Sequence, residues 1–214
     1  MTLELFAPAQ SGEEELAPGA VVLRGAALGV DGALLDALDG VVAAAPFRHM
    51  VTPGGHTMSV AMTNCGALGW VSDETGYRYS PLDPANGGPW PQMPEVFSRL
   101  ATESAARAGY SAFQPDACLV NRYALGARMT LHQDKNERDF SQPIVTVSLG
   151  VTAVFQVGGL ARGDKAARVR VNHCDVVVFG GPSRLRFHGI LPLAAGHHAR
   201  LGDVRVSLTF RAAG

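Results

Sequence analysis

The sequence predicts an α+β chain dominated by β-structure, with a double-sheet barrel or jelly roll filling its C-terminal half. Three observations carry that prediction. After Phe113 the chain breaks into eight short β-rich pieces at roughly regular spacing: DACLVNRY, RMTLHQ, PIVTVSLG, AVFQVGG, RVRVNH, DVVVFGG, RLRFHGI and VRVSLTFR. Helical periodicity is confined to two segments before Phe113. Between those segments, residues 47–93 are rich in glycine, proline and aromatics.

Taken in order, residues 1–19 read as an acidic, loosely held arm, and VVLRGA as a short strand. Asp31 is placed to cap a helix through ALLDALDGVVAAAP, which Pro46 would end. The stretch from Phe47 to Met93 contains TPGG, GALGW, TGYRYSP and GGPWPQMP, all turn-forming. So long an irregular region in a compact domain is usually functional, which suggests a lid or a binding surface. MPEVFSRLATESAARAGY is the strongest helix, with Val96, Leu100 and Ala101 on one side. The expected organisation is therefore an arm over 1–19, an extension and lid over 20–112, and a β core over 113–214.

A chain of 214 residues that is 47% hydrophobic can bury one sizeable core. A net charge of −1 supplies no global field for polyanions, so any nucleic-acid contact must be local. Cys65, Cys118 and Cys174 are odd in number and widely spaced, the pattern of buried reduced thiols in a cytoplasmic protein. The N-terminal stretch lacks the basic and apolar regions of a signal peptide, and no apolar run approaches 18 residues. The expectation is a cytoplasmic monomer with no membrane partner.

His132 and Asp134 in LHQDK stand two apart, so on an extended segment both side chains point to one face. His188 in FHGI, 54 residues after Asp134, supplies a third ligand from a separate strand. Two histidines and a carboxylate leave open positions on one metal, the arrangement of non-haem Fe(II) oxygenases. With 7 His and 11 Asp in 214 residues, chance supplies roughly 0.4 His-x-Asp tripeptides, so the tripeptide alone is weak. A second one, His173-Cys174-Asp175, is set aside because Asp175 opens the apolar run VVVFGG, where a first polar residue closes a turn. His188 also follows it by only 13 residues, about one hairpin. RVSLTFR alternates strictly, with Arg205, Ser207, Thr209 and Arg211 on one face. Its plain explanation is an outer face turned to solvent. The alternative is a pair of arginines holding a small dicarboxylate such as 2-oxoglutarate, although six residues span ~20 Å and the two must lean together.

Beyond these motifs, the chain resembles the AlkB family of Fe(II)- and 2-oxoglutarate-dependent dealkylases almost from end to end. The resemblance runs through PFRHMVTPGG, TMSVAMTNCGALGW, the Tyr77–Pro81 segment, PWPQMP, FQPDACLVNRY, LHQDK, PIVTVSLG, FQVGGLARGD, DVVVFGG, SRLRFHGI and LTFR. It implies a double-stranded β-helix (a jelly roll) with an N-terminal nucleotide-recognition lid. It implies Fe(II) held by His132, Asp134 and His188, with 2-oxoglutarate and O₂ as cosubstrates. Arg205 matches the partner of the far carboxylate of 2-oxoglutarate, Asn121 and Tyr123 its polar helpers, and Arg211 the residue near its other carboxylate. Ser207 stands between the arginines, where the family often has Asn.

For substrate, the resemblance implies 1-methyladenine and 3-methylcytosine in alkylated DNA, single-stranded or flipped from a duplex. Their bases are cationic and poorly paired, which lowers the cost of unstacking. Trp70 matches the stacking residue, with the ring of His132 opposite. Tyr77, Arg78 and Tyr79 match a phosphate- and sugar-facing stretch; Thr52 with Pro53 and Gly54 would grip flanking backbone, and Met62 would wall the pocket. Arg162 would contact DNA from a basic stretch with Lys165, Arg168 and Arg170. Asn136 stands where a second acidic residue is expected, and His56 where an aromatic is; both put base preference in question. The same chemistry on RNA, or a jelly-roll binding protein without catalysis, are the rival readings.

Overall fold

The computed structural model describes residues 12–214. Strands β1 (Gly12–Ala17) and β2 (Ala20–Arg24) form a hairpin, followed by helix α1 (Asp31–Ala44). Next come β3 (Arg48–Val51), β4 (Thr57–Gly66), β5 (Gly69–Asp73) and β6 (Gly76–Ser80), then helix α2 (Glu95–Arg107). The C-terminal half holds β7 (Ala117–Tyr123), β8 (Met129–His132), β9 (Ile144–Gly150) and β10 (Ala153–Val157). It closes with β11 (Ala167–Val171), β12 (Val176–Phe179), β13 (His188–Ile190) and β14 (Arg205–Arg211). All eight β-rich pieces expected after Phe113 are strands.

The strands make a major sheet in the order β1-β2-β12-β9-β14-β7-β4-β3, a minor sheet β11-β10-β13-β8, and the separate hairpin β5-β6. Both helices pack on one face of the major sheet. Leu34, Leu38 and Val41 of α1 and Phe97, Leu100 and Ala101 of α2 meet Val120, Val147, Val178, Leu208 and Phe210. The other face meets the minor sheet, with Met62, Leu119, Val177 and Phe179 against Phe155, Val157, Val169 and Ile190. These layers are the sandwich of a jelly roll. Alternation along each central strand feeds both cores, as in β12, where Val176 and Val178 face the helices and Val177 and Phe179 face the minor sheet. Among the described residues no helix is long and apolar enough to cross a membrane.

Four expectations change. Residues 12–17, read as part of an arm, pair with β2 as an edge strand; residues 1–11 lie outside the described residues. Asp31 is the first helical residue of α1, Val30 occupies the cap position, and no side chain caps the helix. The stretch 47–93 is not irregular: it supplies β3 and β4 to the major sheet and the β5–β6 hairpin, so that sheet crosses the expected boundary at 112/113. On α2 the innermost residue is Phe97, edge-on to Phe210 of β14 at 6.1 Å, while Val96 is only half-buried. The three cysteines are free and buried, as expected.

Candidate metal centre and cosubstrate pocket

His188 opens β13 and pairs directly across the ladder with His132, the last residue of β8, which brings the two rings to 4.4 Å between centroids. Asp134 lies beyond the end of β8, so strand alternation does not place it. Its carboxylate is held instead by Arg211, whose Nε and Nη2 donate to Oδ2 at 2.9 and 2.5 Å. His132 Nε2 stands 3.5 Å from Asp134 Oδ1 and His188 Nε2 3.8 Å from Oδ2. One ligand atom from each residue lies within 4.8 Å of the other two.

Hydrogen bonding fixes the tautomers. His132 Nδ1 faces the carbonyl of Thr130 at 2.8 Å, and His188 Nδ1 faces that of Arg186 at 3.1 Å. A carbonyl only accepts, so each Nδ1 carries the proton and each Nε2 presents a lone pair to the shared space. Burial first, then the neighbouring His132, hold the His188 imidazole down at about 4, neutral as a ligand must be. Burial opposes ionisation of Asp134, but Arg211 and the two histidines outweigh it and keep the carboxyl well below its usual range.

A second cluster, Asp31, His173 and Cys174, also brings potential ligand atoms within 4.8 Å. Its tautomer is the opposite one. Gly150 N–H donates to His173 Nδ1 at 3.0 Å, so Nδ1 is the accepting nitrogen and Nε2 carries the proton, 3.5 Å from Asp31 but with no hydrogen-bond partner. A protonated Nε2 cannot ligate, and the chemistry of the donor set favours the first cluster. Asp175 closes a turn, as its position before β12 suggested: it accepts from the N–H groups of Gly25 and Asn172 and pairs with Arg24.

The polar face of β14 points between the sheets, and all seven of its residues are buried, so the solvent-facing explanation fails. Ladder register lines up Tyr123, Arg205 and Gly150 in one row and Met62, Asn121, Ser207 and Ser148 in the next. Arg205, 1% exposed, lies over the Tyr123 ring at 5.0 Å and donates through Nε to Ser148 Oγ at 3.0 Å. Among the described residues no carboxylate pairs with it. Nη1 of both Arg205 and Arg211 is buried without an acceptor, and Asn121 Oδ1 lacks a donor. A buried guanidinium with an unanswered N–H is costly alone and suits a bound anion. Each end of the strand presents one arginine with an unanswered donor; Arg211 is already tied to Asp134, so Arg205 is the guanidinium free to take a carboxylate of a diacid.

Of the residues expected to meet substrate, Trp70, Tyr77, Arg78 and Tyr79 lie on the β5–β6 hairpin and the others on separate elements. Trp70 stacks on Tyr77 at 5.5 Å with planes 14° apart and donates Nε1–H to Asn136 Oδ1 at 3.3 Å. Tyr79, opposite Trp70 on the hairpin, donates its hydroxyl to Glu137 at 2.6 Å. Arg78 is tied at both nitrogens to Asp73 within the hairpin, so a phosphate would have to share it. Thr52 sits at the β3–β4 turn, where its hydroxyl accepts from His56 N–H. Met62 is fully buried in the wall between the sheets. Arg162 reaches from the β10–β11 loop to the carbonyl of Leu131, next to His132, at 2.8 Å.

Three residues at this site escaped sequence reasoning. Glu137 follows the LHQDK motif closely, next to Asn136, and only its charge marks it. Arg184 sits in SRLRFHGI with nothing local to mark it. Ser148 is brought to Arg205 only by the register of β9 on β14.

The model of the 2OG-Fe(II) oxygenase superfamily matches residues 20–211. The chain is 56% identical to the Alpha-ketoglutarate-dependent dioxygenase AlkB of Salmonella typhimurium, over 99% of this chain and 98% of that one. It is 33% identical to the DNA N(6)-methyladenine demethylase ALKBH1C of Arabidopsis thaliana, over 67% of this chain and 37% of that one. Among solved structures, that of OsALKBH1 superposes with a TM-score of 0.80 at 29% identity, covering 94% of this chain and 99% of that one.

Proposed function

Because the chain belongs to the 2OG-Fe(II) oxygenase superfamily and, within it, to the AlkB family, we propose that it removes N-methyl groups from 1-methyladenine and 3-methylcytosine in DNA by oxidation. His132, Asp134 and His188 would hold Fe(II), and Arg205, with Asn121, Tyr123, Ser207 and Arg211, would receive 2-oxoglutarate. The observation that carries the reading is the tautomer pair: both Nδ1 protons are committed to carbonyls, leaving both Nε2 lone pairs facing Asp134.

When bound, iron with 2-oxoglutarate and O₂ would supply the oxidation that converts an N-methyl group to a hydroxymethyl group, lost as formaldehyde, while 2-oxoglutarate takes the other oxygen atom and becomes succinate and CO₂. The chain's own residues do the rest. Arg205, desolvated and without a carboxylate of its own, binds and orients one end of the diacid. Arg211 fixes the Asp134 carboxylate, so the ligand does not rotate away. Phe155 and Phe179 flank the His188 ring at 6.0 and 4.8 Å and keep water from that side. Trp70 offers a half-buried aromatic face on which a cationic base, unstacked from its strand, can lie. Tyr77 shares the Trp70 face of the hairpin, while Arg78 lies on its other face; with Thr52 and Arg162 they would meet sugar and phosphate, and Met62 would back the pocket wall. The protein would act as a monomer.

Mass spectrometry of methylated DNA and RNA oligonucleotides tests the proposal. Oligonucleotides incubated with wild type are expected to reach the mass of their unmodified form with formaldehyde release, and those incubated with His132→Ala to do neither. Faster turnover of RNA than of matched DNA would move the substrate class to RNA, and no succinate with added Fe(II) would end the enzymatic reading.

A further inference from the structure

Asp134 sits on the irregular segment between β8 and β9, where no ladder bond can hold it. The segment is clamped from one side by a single side chain. Arg184, 2% exposed, donates from Nη1 to the carbonyl of Asp134 at 2.8 Å, from Nε to the carbonyl of Gln142 at 2.9 Å, and from Nη2 to Glu137 Oε2 at 3.0 Å. Its guanidinium also lies 5.3 Å from the Phe140 ring. The neighbouring Leu185 carbonyl accepts from Gln133 Nε2 at 2.6 Å. Both ends and the middle of the segment 133–142 thus hang from residues 184–185, only a few positions before His188.

Glu137 carries the arrangement onward. It is buried, accepts from Tyr79 of the β5–β6 hairpin, and stands 3.4 Å from Arg211 Nε, which in turn grips Asp134. Positive and negative groups alternate from Arg184 through Glu137 and Arg211 to Asp134. A planar fork with fixed donor directions can satisfy three acceptors at once; an ammonium cannot.

We propose that Arg184 is a positioning residue of the metal centre, fixing the main chain of Asp134 for the ion and joining that segment through Glu137 to Tyr79. This rests on the metal reading above. Groups that orient ligands typically change metal affinity about 10- to 100-fold when removed.

The test is Mn(II) titration of the metal-free full-length protein, following free Mn(II) by electron paramagnetic resonance, with the fold checked by circular dichroism melting. Arg184→Met removes all three bonds. Arg184→Lys keeps a charge beside Glu137, so it preserves the fold if the methionine variant does not. Both are expected to bind Mn(II) about 10- to 100-fold more weakly than wild type. Affinity within twofold of wild type in folded Arg184→Lys, or a fall in melting temperature alone, would show a merely structural residue and overturn the proposal. His132→Ala is the separate control: wild-type Mn(II) affinity there would sink the metal site itself, whatever Arg184 does.

Discussion

Asn136 marks the point where one residue bears on base preference. Its Oδ1 accepts the Trp70 indole proton, which sets a neutral amide at the edge of the stacking ring. An aspartate there could accept the same bond and add a charge worth ~1 kcal/mol to a cation at ~4 Å in water. Asn136→Asp should therefore raise the rate on cationic lesions relative to neutral ones by about fivefold; equal relative rates in competition assays would refute this. His188 gives a pH prediction for the metal-free protein. Its folded value of about 4 lies below the ordinary 6.5, so between those values the unfolded chain binds the extra proton. Stability is fully present above pH 6.5 and is lost as pH falls toward 4, by at most ~1.4 kcal/mol per unit. A calorimetric series should show that decline, and His188→Gln should flatten it. His132 and Asp134 were legible as a local His-x-Asp pattern, and His188, 54 residues on, only through the resemblance of SRLRFHGI to the family. The tautomers that separate the two clusters were not, because they depend on whether Nδ1 meets a carbonyl or an N–H from another strand.

Strand β14 shows what periodicity can and cannot tell. Its alternation is plain in RVSLTFR, but a two-residue period is the same whether the polar face meets water or a buried pocket. Strand β4 was hidden for a related reason. Thr57, Ser59 and Thr63 alternate along it and read as an outer face, yet Thr63 is buried and donates to the Ala45 carbonyl, and the glycines and prolines around the strand dominate. The β5–β6 hairpin is joined to the segment after β8 through the Trp70–Asn136 and Tyr79–Glu137 bonds. Burial first, with Glu137 and Asp134 adding and Arg211 opposing, raises the Tyr79 hydroxyl, which keeps its proton for Glu137. Tyr79→Phe leaves that carboxylate short of a donor, at a cost of ~1–3 kcal/mol. Hydrogen exchange should rise in residues 69–80 and stay unchanged in the major sheet; uniform loss of protection would show that the bond supports the whole fold instead of the hairpin.

Over the whole molecule, charge distribution matters more than net charge. Arg162, Lys165, Arg168 and Arg170 look like one basic patch in sequence, but the structure divides them. Val157 pairs with both His188 and Ala167, so Arg168 and Arg170 point away from the metal side, on edge strand β11. Basic side chains there discourage pairing with another strand. Arg162 alone is tied beside His132. Arg162→Ala should lower the salt slope of oligonucleotide binding by about 0.7 for single strands or 0.9 for duplex, one phosphate's worth. Arg168→Ala with Arg170→Ala should leave the slope unchanged; the reverse result would move the nucleic-acid path to the outer face of the minor sheet. The sequence by itself determined the eight core strands, the His132-x-Asp134 pair and the alternation that carries both arginines, since each is written in neighbours a few residues apart. Tertiary structure alone decided that Arg205 is buried without a carboxylate, that Arg184 hangs the Asp134 segment, and which of the two clusters presents bare Nε2 atoms. Those outcomes depend on register between strands far apart in the chain, and no local pattern encodes register.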